Sequence, residues 1–364
     1  MSRPADPPAS ASDALTPPDP RWVERFRGDV EALTGETPSS ERMLALAVSG
    51  GPDSVAMLML AAQAHPGAVR AATVDHGLRR ESGNEAALVA ELCDRIAVPH
   101  QILKPRRKLS GASIQAVART ARYALLGDWA VQTGAMAVAT AHHADDQAET
   151  FLLRARRGTG PSGLSGIRPR WNWDRHRWHR GYPKDGVVAV ADVDRVAVIR
   201  PLLNWRRSDL RRFAEAIAAP FIDDPSNVDP RFERVRMRRL LAENPWLDAV
   251  ALSKSASICA DADRDLTAMF EWLSRDRLRA SDVDSRHYDM SGLPRELRRR
   301  LARDAIAYVR MISAIGEGQW SEGANIEALL DALESGRKAT HAGVMATPKG
   351  DLWLFAPAPP RRSH

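Results

Sequence analysis

The sequence predicts an α/β protein built on a doubly wound, mostly parallel sheet with helices on both faces, followed by a mainly helical region and a small carboxyl-terminal element. Short apolar runs alternate with segments of helical period over the first part of the chain, the pattern of strands joined by crossover helices. The runs are apolar throughout rather than at every second residue, as in strands covered on both sides. Beyond residue 233 the period turns largely helical, and only the last segment, ATHAGVMATPKGDLWLFAPAP, reads as a hairpin about Pro348-Lys349-Gly350.

Taken in order, MLALAVS (43–49) is the first strand, and a helix follows over 53–64. AVRAATVD (68–75) is the second strand, ahead of a helix over 86–97. HQILKP (100–105) is the third, ahead of a long helix over 113–130. AMAVATA (135–141) is the fourth, ahead of a helix over 146–156, and VAVIRPL (196–202) is a fifth. A helix over 208–219 and largely helical sequence from 233 to about 335, interrupted by Pro and Gly, complete the pattern. The expected division is a tail over 1–20, an α/β domain over 21–240, a mainly helical domain over 241–335 and a small hairpin-containing tail over 336–364. The opening MSRPADPPASASDALTPPDP is rich in Pro, Ser and Ala and has no apolar signal core, so it is expected to be disordered rather than a secretion signal.

With 364 residues, 44% of them hydrophobic, the chain can bury more than one core. A formal charge of +6 favours polyanionic partners without naming one. Only 6 of the 52 basic residues are Lys, and Arg is the better bidentate partner for phosphate. Cys93 and Cys259 stand alone, which excludes a disulfide scaffold and gives no zinc or iron–sulfur pattern. No apolar run is long enough to cross a bilayer, so a cytoplasmic protein without a membrane partner is expected. Nothing in the sequence requires a protein partner.

The chemistry begins at Ser49-Gly50-Gly51-Pro52-Asp53-Ser54, which follows the first strand and opens a helix. Glycines there let the backbone bend tightly and bring N–H groups close to a ligand, and Ser49 and Ser54 add hydroxyls. Asp53 beside such a nest repels bare phosphate, and makes sense if a divalent cation stands between them. The structural alternative is a plain Gly-Gly turn, but parallel sheets bind ligands beyond the carboxyl ends of their strands. Asp146 and Glu149 are three apart on one helical face. Their alternative is a capping box, Asp146 as N-cap and Glu149 as its reciprocal member, with Asp145 an equally plausible cap. His142 and His143 end the fourth strand, placed for phosphate or base and without a third soft ligand for a metal; satisfied structural histidines are the alternative. Asp75-His76-Gly77 ends the second strand at the same edge, where Asp75 is either part of a pocket or a turn cap. Arg119 and Arg122, three apart on the long helix, are either phosphate partners or solvated surface, and Tyr123 packs that helix.

SGGPDS (49–54) resembles the pyrophosphate-binding loop of the N-type ATP pyrophosphatase, or PP-loop, superfamily. The ordered set formed with VDHGLR (74–79), QAVARTARY (115–123), TAHHADDQAET (140–150), RRGTGPSGLSGI (156–167), IRPLL (199–203) and DDPSN with its downstream arginines (223–238) is similar to the tRNA(Ile)-lysidine synthases over roughly 43–240. The resemblance implies an ATP-dependent carbon–nitrogen ligase with ATP and Mg²⁺ as cofactors, and tRNA(Ile) with anticodon CAU and L-lysine as substrates. In such a reaction ATP adenylates the C2 oxygen of the wobble cytidine, and the ε-amine of lysine then expels AMP. It implies a catalytic role for Asp53, Arg122, Asp146 and Glu149, and a metal at Asp53 and Asp146. Nucleotide would lie against Ser49, Gly50, Gly51, Pro52, Asp53, Ser54, Asp75, His76, His142 and His143. Arg234, Arg236 and Arg238 would lie near RNA, and on a helix Arg234 and Arg238 share a face.

Gly158, Gly160 and Gly163 formally fit GxGxxG but follow a helix, so they are not a dinucleotide fingerprint; the resemblance makes them a flexible segment near the site. Over 168–184, Trp171, Trp173 and Trp178 are candidates for stacking on unpaired bases, with a partly disordered insert as the alternative. Other readings remain: a different ATP-dependent tRNA-modifying enzyme such as a cytidine thiolase, whose usual cysteine clusters are missing, a small-molecule adenylating synthetase, or a nonenzymatic RNA-binding protein. A P-loop kinase or GTPase is excluded by the lack of a GK[ST] signature.

Overall fold

A computed structural model describes residues 19–77, 82–106, 114–175, 195–222, 233–280, 282, 284–315, 320 and 324–359. The expected tail up to residue 18, Trp178 and the turn Asp224-Pro225-Ser226-Asn227 lie outside the described residues. Two compact units divide the chain, one holding the described residues of 19–159, 164–175 and 195–257, the other those of 160–163 and 258–359.

The first unit carries helix α1 (Pro20–Thr34), β1 (Leu44–Ala47), α2 (Pro52–Ala64), β2 (Val69–Val74), α3 (Ser82–Arg95), β3 (His100–Leu103), α4 (Ile114–Gln132), β4 (Ala137–Thr140) and α5 (Ala144–Arg156). After the short turn α6 (Pro161–Leu164), at the division between the units, come β5 (Arg170–Asp174), β6 (Arg195–Ile199), α7 (Arg207–Ala216) and α8 (Glu233–Glu243). The strands form one sheet in the order β3-β2-β1-β4-β6-β5, parallel except for β5. This is the doubly wound sheet the apolar runs predict. On one face α1, α2, α3 and α7 bury Phe26, Val30, Leu60, Leu92 and Phe213; on the other α4 buries Tyr123, Leu126 and Trp129. The α2 segment PDSVAMLMLAAQA is apolar on nearly every side, so it is covered on nearly every side. Helix α1 had no counterpart in the sequence reading; Asp19 caps its N-terminus and Gly35 ends it in the left-handed region.

The tryptophans of 168–184 require a correction. Trp171 and Trp173 lie on β5, which adds antiparallel to β6, and they pack into the sheet rather than standing ready for bases. Trp173 is fully buried, its indole so close to Gly127 of α4 that an added Cβ would overlap it. Trp171 meets Tyr123 edge to face, with ring centres 5.4 Å apart. A charged flank on RWNWD concealed a strand whose apolar face is buried.

The second unit takes in the later part of α9 (Ala249–Arg277), then β7 (Leu278–Ala280), β8 (Arg286–Asp289), α10 (Arg295–Ile312), α11 (Glu327–Glu334), β9 (Ala339–His341), β10 (Val344–Lys349) and β11 (Leu352–Pro357). The expected hairpin is β10–β11, turning at Gly350. It does not stand apart: β11 pairs with β8, completing an antiparallel sheet β7-β8-β11-β10-β9 that shares one core with α10 and α11. Segments as short as β7 and β8 carry no readable alternation, so only long-range pairing reveals them. No described helix is long and apolar enough to cross a membrane.

Candidate active site at the carboxyl ends of β1, β4 and β6

The winding of the sheet reverses between β1 and β4. The chain runs β1, β2, β3 towards one edge, crosses the opposite face through α4, and returns beside β1 as β4, with Ala47 next to Thr140. The carboxyl ends of these neighbours open a crevice at the switch point. The glycine loop and the TAHHADD segment both start there.

Gly50 adopts a left-handed φ of 88°, and its carbonyl accepts from Ile222 N–H at 2.9 Å. A Cβ at Gly50 would press on Ile222 and Val89, at 3.3 and 3.4 Å. Ser54 Oγ donates to Gly51 O at 2.9 Å, so it accepts from Ser49 N–H and lies 3.2 Å from Ser49 Oγ. Gly51 is the N-cap of α2 and Pro52 opens the helix, and no side chain caps it. Its first-turn N–H groups are thus available to an anion at the positive end of the helix.

Asp53 lies in that first turn, directed across the crevice. Its Oδ2 is 3.5 Å from His143 Nε2, and its Oδ1 is buried without a hydrogen-bond partner. His143 is the N-cap of α5, its Nδ1 accepting from Asp146 N–H at 3.3 Å while Asp146 Oδ2 accepts from His143 N–H at 3.2 Å. The capping alternatives are thereby corrected: the cap is the histidine, Asp146 is its reciprocal partner, and Glu149 is outside the box. Asp145 accepts instead from Arg207 N–H at 2.8 Å, at the start of α7. Burial works against a charged His143, but the carboxylates of Asp146, Asp53 and Asp145 prevail and hold its pKa up at about 9. The cap bond needs an unprotonated Nδ1, so charge and cap compete for one ring. Burial likewise opposes the charge of Asp146, yet His143, His142 and Arg234 keep its carboxyl below the usual range.

One turn on, Glu149 is fully buried. Its Oε1 accepts from Arg238 Nε of α8 at 2.9 Å, and its Oε2 has no partner. Burial raises its pKa, reinforced by Asp146 and opposed by Arg238. Of the three candidate arginines on α8, Arg238 is therefore committed to a carboxylate, while Arg234 and Arg236 are exposed. Glu233, at the start of α8, takes both Arg156 and Arg157 of α5 at 2.5 Å.

The remaining candidates lie to either side. Asp75 Oδ1 accepts from Gly77 N–H at 2.9 Å and Ser82 Oγ at 2.7 Å, and Lys104 is 3.3 Å from Oδ2. It is thus a turn acceptor, with its pKa lowered chiefly by the Ser82 hydroxyl. Both ring nitrogens of His76 are buried without partners. Burial and the nearby Arg122 lower its pKa. His142 meets Thr140 Oγ1 at 3.0 Å, and burial pushes its pKa down to about 3, with Arg200, Arg119 and Arg234 adding to the effect.

Two buried residues went unnoticed in the sequence. Gln147 donates to Ile167 O at 3.1 Å and accepts from Ile167 N–H at 2.5 Å, while Gly166 leaves no room for a Cβ beside it. It fastens the end of the glycine-rich segment to α5, and an amide inside a helix carries no local mark of that. Arg200, directly after β6, is 5% exposed; its motif was recognised but no residue in it was singled out.

A glycine loop opening an uncapped helix at the switch point, faced by carboxylates from the next strand, defines a nucleotide-binding protein of the PP-loop class. The PP-loop domain family model matches residues 24–244. A tRNA(Ile)-lysidine synthase of Zymomonas mobilis subsp. mobilis is 37% identical, over 91% of this chain and 94% of its own. Those of Novosphingobium aromaticivorans and a Methylobacterium species are 39% and 35% identical, over 94% and 96% of this chain and 95% and 98% of theirs. The chain belongs to the tRNA(Ile)-lysidine synthase family.

Proposed function

We propose that this chain is an ATP-dependent carbon–nitrogen ligase that converts the wobble cytidine of tRNA(Ile) with anticodon CAU to lysidine, using free L-lysine and releasing AMP and pyrophosphate. The observation that carries this is the convergence of Asp53, from the uncapped SGGPDS loop, and Asp146, from α5, on His143 across the switch point, supported by relatives of that name aligned nearly end to end.

A pyrimidine C2 oxygen is a poor leaving group. Transfer of the ATP α-phosphorus to that oxygen makes a phosphate ester, and the oxygen then departs with AMP when the lysine amine bonds to C2. The loop Ser49, Gly50, Gly51, Pro52, Asp53 and Ser54 receives the departing pyrophosphate through backbone N–H groups and hydroxyls. The orphaned Asp53 Oδ1 and the nearby Asp146 fit the sparse carboxylate grip of Mg²⁺, which completes its shell with phosphate and water. When bound there, Mg²⁺ supplies charge neutralisation for the pyrophosphate. Among the described residues no group of three or more His, Cys, Asp or Glu forms an all-protein cage. His143 holds Asp53 and Asp146 in place from the N-cap of α5. Asp75 shapes the turn at the end of β2, His76 offers its unpartnered nitrogens to the nucleotide, and Arg122 steadies phosphate beside it. His142, uncharged, lines the base side.

The lysine ammonium must lose a proton before attack. Glu149 has a raised pKa, one oxygen held by Arg238 and the other without a partner, which suits it to accept that proton. Arg234 and Arg236 meet the RNA backbone, with Arg238 behind them as the counter-ion of Glu149. The catalytic domain spans 21–240; the helical region and the terminal hairpin, which share one core, follow it outside the chemistry. The enzyme works in the cytoplasm, with tRNA.

The test is incubation with ATP, Mg²⁺, labelled L-lysine and tRNA(Ile) bearing CAU. The expected result is covalent lysine on the tRNA with matching AMP and pyrophosphate. Folded protein that binds ATP but incorporates no lysine would sink the assignment.

A further inference from the structure

Arg200 has no role in the chemistry described above. It follows β6, the parallel neighbour of β4, and is 5% exposed. Its Nη1 donates to Arg168 O and its Nη2 to the Tyr123 phenol at 3.5 Å, while Nε is buried with no partner. No described carboxylate forms an ion pair with it. A buried guanidinium without a counter-ion is destabilising by itself, and a bound anion relieves that. Arg119 reaches the same phenol from α4, its Cζ 5.2 Å from the Tyr123 ring centre. His142, at the end of β4, lies in the field of both arginines and of Asp146. A cationic pole and an anionic pole thus reach one uncharged imidazole.

We propose that Arg200, supported by Arg119, receives the α-carboxylate of the amino-acid substrate while Asp146 and Glu149 face its side-chain amine, so that the site selects an amine carrying a carboxylate at its far end. This rests on the lysine-ligating reading given under Proposed function. The phosphates of ATP already have the α2 N-terminus two strands away, whereas Arg200 is a buried planar donor that no described carboxylate pairs with, the kind of group that takes a carboxylate. Arg119, being more exposed, sets the field rather than the geometry.

The experiment compares L-lysine with L-lysinamide, which keeps both amines and lacks the carboxylate charge, in tRNA ligation by the full chain. Wild-type protein is expected to favour lysine by about 10- to 100-fold in kcat/KM, the range for a hydrogen bond to a charged group. Arg200→Met is expected to bring that preference to within about threefold, through the KM for lysine, and Arg200→Lys to restore part of it. Equal use of both amines by wild-type protein overturns the proposal whether or not any variant folds. So does an Arg200→Met variant that loses both amines alike, or one whose ATP KM rises while the preference stands, which would assign the guanidinium to phosphate. Folded wild-type protein that ligates neither amine fails the lysidine reading itself, a different result from any of these.

Discussion

The two edges of the crevice differ in charge, and the adjacent histidines 142 and 143 record the difference. At the β1–β4 edge, Asp53, Asp145 and Asp146 surround His143 and hold its pKa up at about 9. At the β4–β6 edge, burial beside Arg200, Arg119 and Arg234 takes His142 down to about 3. One residue type, at consecutive positions, has its pKa pushed up on one side and down on the other. Residue type does not decide the charge; the neighbours delivered by α2, α4, β6 and α8 do. The acidic edge suits a metal-bound pyrophosphate and an amine, and the basic edge suits a carboxylate.

The largest effect is expected where a buried charge loses its partner. Arg238→Met leaves Glu149 alone in the interior and should lower unfolding free energy by about 3–5 kcal/mol, with Glu149→Gln in the same chain recovering part of it. Urea titration of the single and double variants measures this; a loss under about 1 kcal/mol would mean that the pair is effectively solvated. Next, Asp53→Asn and Asp146→Asn should reduce turnover by about 10²- to 10³-fold while leaving the fold intact, the scale of losing one electrostatic contact to developing charge. Circular dichroism with single-turnover lysine incorporation separates the two outcomes, and full turnover in a folded variant would remove that residue from the chemistry.

The histidines themselves predict opposite limbs of a stability–pH curve. His143 is raised above its unfolded value of 6.5, so its contribution is complete below that pH and disappears as pH rises through about 9. His142 is lowered, so its contribution is complete above pH 6.5 and disappears as pH falls towards about 3. His143→Asn, which keeps a capping side chain, should flatten the alkaline limb, and His142→Asn the acid limb. Urea midpoints measured across that range test the contrast, and identical curves for the two variants would erase it. The smallest effect is expected at Arg234. Arg234→Gln should weaken tRNA binding evenly across sequences and reduce the salt slope by about one, without the loss of stability expected at Arg238. Binding titrations at several salt concentrations decide it.

Much of the fold was legible because it is local. LALA, VRAATV and AVAT are mostly apolar, and the segments between them keep helical period, so the strands, the crossover helices and the loop at Gly50-Gly51 could be placed within a few residues. The terminal hairpin was readable from its turn. Less local features were not. The cap of α5 depends on an imidazole where Asp145 or Asp146 looked equally suitable. RWNWD resembles an RNA-stacking segment until β6 lies beside it. Gln147 and Arg200 matter through residues 20 and 77 positions away, which no local window contains.

The sequence by itself determined the class of sheet, the position of the phosphate loop and the set of carboxylates available to the chemistry, because periodicity, glycine and helix starts are properties of neighbouring residues. Only the tertiary structure decided which of those groups are charged and which partners they hold: that Arg238 neutralises Glu149, that Asp145 serves α7, and that no described carboxylate pairs with Arg200. The physical reason is that burial and Coulomb interaction depend on distance in space, and the distances that matter here join elements far apart in the chain.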